Sequence, residues 1–267
     1  MEKQTKKSAP ALVRKPWEKG NPYSAYACRQ GLRLLTYWAL FALAHLLLGG
    51  ALQSDARWIR WALCLGLTAG EILLLYRDGA RLGEKETARG ESMYLRRQAG
   101  KDVSASDLDR CFHPGKGWLM ALTAAVPLAL LCVPYAILAQ KQVYTLQALP
   151  AWVAAYEGHE EIAQALQYYR QTSPLTALDV LRLAVRALTL PFVGVAEGAD
   201  ALLLADRLSP LLACLPLLGF PLGYGTGPRA RAAVHGSIQE NARKRQRREQ
   251  KARQARKRPP AGKNEIV

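Results

Sequence analysis

Residues 243–258 read RKRQRREQKARQARKR, ten Lys or Arg against the single acid Glu249. A segment so charged does not enter hydrocarbon, yet it stands only about twenty residues beyond an apolar run. The side of a membrane that it occupies sets the parity of every crossing before it. Its cations Arg243, Lys244, Arg245, Arg247, Arg248, Lys251, Arg253, Arg256, Lys257 and Arg258 form a candidate polyanion-binding tail. The good helix formers Ala, Arg, Gln and Lys predict a helix from about Arg229.

Working outward, the apolar residues of this 267-residue chain are bunched in long blocks, with the charges between them. That patterning points to an all-α, polytopic integral membrane bundle rather than a soluble domain. Formal net charge is +16, so a polyanion or an anionic membrane face is the expected neighbour. The five cysteines form no disulfide framework and are expected reduced. Some thirty polar, basic residues precede the first apolar run, so that run is expected to act as an uncleaved anchor.

Residues 1–32 read as a basic cytosolic tail and 33–226 as the membrane domain. Four spans are expected, at about 34–52, 58–76, 118–138 and 201–224, each near the ~20 residues that cross ~30 Å of hydrocarbon. Gly66 and Gly70, spaced G-x-x-x-G, offer close approach to a neighbouring helix. Residues 77–117 read as a cytosolic loop in which Ser104 or Ser106 caps a short helix. Pro127 and Pro134 interrupt the third span. Residues 140–198 read as amphipathic outer-face segments, with a helical stripe at Ile162, Leu166 and Tyr169. Within them, 175–196 is long and apolar but carries Asp179, Arg182 and Arg186 in one arc and is then broken by Pro191. It is expected to lie in the interface rather than cross.

Charge asymmetry favours this even count. With four spans, thirty of the 37 cations face the cytosol together with both termini; with five, one basic end sits outside. The expected location is the cell (plasma or inner) membrane, and the Ala/Leu/Arg-rich style suggests a bacterial source. The basic segment 227–267 then binds anionic headgroups, with ribosomal RNA, another polyanion or an acidic partner as alternatives. No aromatic residue is interleaved after Tyr224, which argues against base stacking.

Glu71 is the most informative single residue, because an ionised carboxylate inside hydrocarbon must be neutralised, paired or wetted. Counted from the expected span ends, Tyr37, Trp38 and Thr123 lie at a matching depth and His45 some ~10 Å deeper, so Glu71 and His45 are not expected to pair. Asp179, Arg182 and Arg186 are a candidate anionic-headgroup site, with an i,i+3 pair as the plainer reading.

Several motifs fail on their own terms. His159-Glu160-Glu161 opens like H-E-x-x-H, but Ala163 stands where the second ligand belongs. Cys111-x-His113 lacks a second ligand pair. Gly223-Tyr224-Gly225 trails a span, unlike a channel filter. Asp78-Gly79-Ala80-Arg81 with Gly90 resembles a fragment of the CDP-alcohol phosphotransferase signature. That family's chemistry implies several metal-holding carboxylates, and here Tyr94 and Gln98 occupy the later positions.

The sequence therefore leads to a non-catalytic membrane component without cofactor or metal. The expected role is a scaffold or accessory subunit that docks another membrane protein or a second copy of itself. A solute or proton-coupled carrier using Glu71 and His45 is the alternative, and a lipid-modifying membrane enzyme is third.

Overall fold

The computed structural model describes residues 13–52, 56–139 and 177–257, so the expected stripe at Ile162, Leu166 and Tyr169 lies outside them. Every regular element among the described residues is helical: α1 (Ala25–Leu47), α2 (Gly49–Leu52), α3 (Arg57–Gln98), α4 (Ala105–Leu108), α5 (Lys116–Leu138), α6 (Ala177–Leu188), α7 (Leu190–Val195), α8 (Gly198–Cys214), a 3₁₀ turn (Leu215–Leu218), α9 (Gly219–Gly225) and α10 (Gly227–Lys257).

Three stretches are long and apolar enough to cross a membrane: α3, α5 and the run Gly198–Gly225. Their outward faces carry large apolar side chains that water would disfavour, among them Leu65, Leu73, Leu130, Ile137, Leu204 and Leu211. The first expected span is realised differently. Helix α1 starts nine residues earlier than 34, and the chain breaks before the Gly49-Gly50 pair. Its apolar part, residues 34–47, measures about 21 Å, short of a full hydrocarbon thickness.

Helix α3 also departs from expectation. It passes through Tyr76 without a break and runs 42 residues, about 63 Å, so the expected loop 77–117 is helical as far as Gln98. Apolarity stops at Tyr76, but helix propensity does not, because 77–98 carries five Arg and three Glu and contains no proline. The expected cap is present: Ser104 Oγ accepts the Asp107 amide at 3.2 Å and opens α4. In the ambiguous piece, Thr189 and Pro191 divide 177–195 into helices of 12 and 6 residues, and about 18 Å of α6 cannot cross ~30 Å.

The chain forms two compact units. One comprises 27–75 and 118–220 and holds the apolar core of Cys132, Tyr135, Val185 and Ala213. There the Trp38 indole N–H, buried on α1, donates to the Ala213 carbonyl at 3.2 Å, which ties α1 to the end of α8. The other unit comprises the described part of 1–26 with 76–117 and 221–257. In it the N-terminal segment lies along α3, with the Glu18 amide donating to the Gly90 carbonyl at 3.1 Å.

Close helix approach occurs at glycines other than the expected pair. A Cβ at Gly83 would overlap the Tyr224 carbonyl oxygen and crowd Gly227, whereas one at Gly66 or Gly70 would meet nothing within 4 Å. The G-x-x-x-G spacing defines a smooth helix face; it does not specify what covers that face.

Candidate functional site

The apolar unit carries two buried polar centres. In the first, His45 near the end of α1 meets Glu71 on α3, with Nε2 2.6 Å from Oε1 and both side chains nearly inaccessible. The other ring nitrogen, Nδ1, lies 3.2 Å from the Ala187 carbonyl. A carbonyl only accepts, so Nδ1 carries a hydrogen. One further proton then sits between Nε2 and Oε1. Whichever atom holds it, the dyad is neutral as a whole, which is the condition for burying it in a low-dielectric region.

This corrects the expected depths of the two residues. The count began at span ends inferred from apolarity, and α1 and α3 do not end there. Nor do Trp38 and Thr123, chosen by depth, give their hydrogen bonds to Glu71. Trp38 bonds Ala213, and Thr123 turns its hydroxyl back to the Leu119 carbonyl at 2.8 Å. Tyr37 packs its ring 6.2 Å from that of Phe41. The signal that pointed to the true pair was energetic, since His45 and Glu71 are the two ionisable side chains lying deepest in the first two apolar runs.

The second centre splits the arc of Asp179, Arg182 and Arg186 between two partners. Arg182 bonds Asp179 at 3.0 Å, as i,i+3 spacing allows. Arg186 reaches instead to the buried Asp206 on α8, with a two-point fork at 3.1 and 2.7 Å. As an anionic-headgroup site the arc is thereby depleted, because the Arg186 guanidinium is already engaged. Nothing local in sequence links residues 186 and 206.

The other unit contains two centres that sequence reasoning missed. Lys116, fully buried at the start of α5, donates to Glu86 Oε2 at 2.9 Å and to the carbonyls of Asp109 and Cys111 at 2.8 and 2.5 Å. Its three ammonium hydrogens therefore meet three acceptors. The Tyr224 hydroxyl donates to the same carboxylate oxygen at 2.5 Å, and its ring stacks on Phe112 at 5.0 Å. The Tyr26 ring faces the ammonium from 5.5 Å. Burial pushes the Glu86 carboxyl above its ordinary range, against the pull of Lys116 and the Tyr224 hydrogen bond. Burial also raises the Cys111 thiol. It lowers His113, with help from the charges of Lys116 and Lys19. With every donor of Lys116 used, this centre has the character of a structural lock.

Nearby, Glu91 on α3 accepts from His235 Nε2 at 2.8 and 2.9 Å and from Arg231 Nε at 3.1 Å, both on α10. A cleft of about 470 Å³ opens beside them, lined also by Lys15 and Tyr94.

No protein-family model, curated protein or solved structure matches this chain. Its chemistry is therefore read from these centres alone.

The basic segment takes a simpler form. Helix α10 runs to Lys257 and is exposed on all sides from Ser237 to Arg253, presenting Arg243, Lys244, Arg245, Arg247, Arg248, Lys251 and Arg253 without an apolar stripe. Two i,i+4 pairs, Glu240–Lys244 at 2.6 Å and Arg245–Glu249 at 3.0 Å, brace it. Arg256 and Lys257 fall within the helix, and Arg258 lies outside the described residues. Among the described residues no group of His, Cys, Asp and Glu is arranged to hold a metal ion.

Proposed function

We propose that this chain is a non-catalytic multi-pass protein of the cell membrane, a scaffold or accessory subunit that packs against other membrane proteins. Its basic C-terminal helix holds it to anionic lipid or another polyanion. In this reading α1 makes the fourth crossing where the bilayer thins locally and flanking residues snorkel, and both termini lie in the cytosol with thirty of the 37 cations.

The observation that carries the proposal is the fate of the intramembrane charges. Glu71 is matched by His45 and Asp206 by Arg186 inside the one chain, so each buried group already has a partner. Meanwhile no described helix comes within 4 Å of a Cβ at Gly66 or Gly70, as a surface for another transmembrane helix would require. The test is co-purification in mild detergent. A defined membrane protein partner recovered with wild type and lost with Gly66→Leu supports docking. Recovery of the chain alone, unaffected by that change, refutes it.

A proton-coupled carrier is the second reading, favoured specifically by the 2.6 Å His45–Glu71 contact, a geometry that also suits proton transfer. Reconstituted vesicles distinguish the two. Under a pH gradient the scaffold shows no flux that depends on Glu71, whereas uptake abolished by Glu71→Gln establishes the carrier.

A further inference from the structure

Helices α3 and α8, with α7 between them in sequence, enclose an open groove of about 520 Å³ whose two ends differ in chemistry. At the mouth, Glu197 accepts a two-point fork from Arg57 at 3.0 and 2.7 Å and a third bond from Arg60 at 2.6 Å. Two guanidiniums thus share one carboxylate. Arg57, with a side chain 72 % exposed, uses its Nε and one Nη nitrogen for this fork, and among the described residues no acceptor meets the other Nη. Below the mouth the lining is Trp61, Cys64, Leu204, Leu208 and Leu212, with no further charge.

The groove's length is set by α8. From Ala201 to Leu212 it descends about 16 Å, half of a ~30 Å hydrocarbon core and therefore the depth of one leaflet. A slot of leaflet depth, apolar throughout and cationic only at its rim, has the polarity profile of one phospholipid. We propose that it is a binding site for a single anionic phospholipid. One acyl chain lies along Trp61, Leu204 and Leu208, and the headgroup phosphate is held by Arg57, with Arg60 supplying the second unit of positive charge. The excess of guanidinium over carboxylate at the rim selects an anionic over a zwitterionic headgroup. The volume falls within the range of sites that hold a small molecule.

The inference rests on α3 and α8 being membrane helices, but not on the scaffold role, because its readout is bound lipid rather than bound protein. The test takes the full chain reconstituted into vesicles of equal parts phosphatidylglycerol and phosphatidylcholine with identical acyl chains. The protein is extracted in mild detergent, and retained lipids are counted by native mass spectrometry. One phosphatidylglycerol retained in preference to phosphatidylcholine is expected. Arg57→Gln should weaken that retention roughly fivefold, as loss of one interfacial cation implies. Leu208→Trp, which fills the slot, should abolish it, while Arg207→Gln, one residue away but not lining the groove, should leave it unchanged. Circular dichroism establishes that each variant is folded, and if Leu208→Trp is not, Leu204→Phe takes its place. Equal retention of both lipids, or equal loss with Arg207→Gln and Arg57→Gln, would overturn the proposal.

Discussion

The buried pair Glu86–Lys116 yields an asymmetric prediction. Lys116→Met removes the cation beside a carboxylate that is 2 % exposed and takes an ammonium donor from the Asp109 and Cys111 carbonyls. Breaking a buried pair from one side costs about 3–5 kcal/mol. At ~2–4 °C per kcal/mol for a chain of this size, the unfolding midpoint should fall by roughly 6–20 °C. Glu86→Gln should behave otherwise. The amide oxygen still accepts from Lys116 and Tyr224, but the buried ammonium loses its counter-charge and the amide NH2 takes the place of the unpartnered Oε1, so the loss should be smaller than for Lys116→Met, about 1–3 kcal/mol.

The pH dependence has a definite sign. A carboxyl raised in the folded state binds its proton more tightly folded than unfolded. Its contribution to stability is therefore fully present below the ordinary value of about 4.3 and is lost as pH climbs through the folded value. Glu86→Gln should flatten this slope. Lys116→Met should extend it to higher pH, because the charge that lowered the carboxyl is absent, so mild acid partly rescues that variant. Thermal unfolding in mild detergent, followed by far-ultraviolet circular dichroism across pH, measures all three proteins. A Glu86→Gln variant as unstable as Lys116→Met would show that Coulomb attraction outweighs burial here, and the reasoning would fail.

Four further outcomes are expected. Gly83→Ala should destabilise the protein because its Cβ has no room beside Tyr224 and Gly227, while Gly66→Ala, with open space around it, should gain up to about 1 kcal/mol of helix propensity; thermal midpoints compare them. In a variant keeping only Cys28, which is exposed, a membrane-impermeant maleimide should label whole cells only after permeabilisation; labelling of intact cells would invert the proposed topology. A variant keeping only Cys111, buried with its thiol raised, should resist the same reagent at neutral pH in either condition. Binding to vesicles of phosphatidylglycerol through α10 should fall steeply between low and physiological salt and be lost on removing residues 243–257, as sedimentation would measure.

Much of the helical layout was legible in one dimension. Apolar run lengths located α5 and the apolar part of α3, Ser104 announced its cap, and Pro191 marked the break between α6 and α7. Element ends were less legible. Apolarity records where hydrocarbon is tolerated, whereas a helix continues as long as its residues favour it, and residues 77–98 do. The candidate sites suffered from that difference, since a depth counted from the wrong helix end separated His45 from Glu71 on paper.

What the chain by itself determined is that it is helical, that at least three stretches suit hydrocarbon, and that each charge within them needs a partner. These follow from composition and spacing, through the cost of placing a charge in a low dielectric. Only the tertiary structure decided which partner. Arg186 lies seven positions from Asp179 but bonds Asp206, twenty positions away, and Glu86 finds Lys116 thirty residues on. A helix carries its charges on a fixed spiral, and the rotation and offset of its neighbours, set by packing as close as Gly83 against Gly227, choose which charges meet.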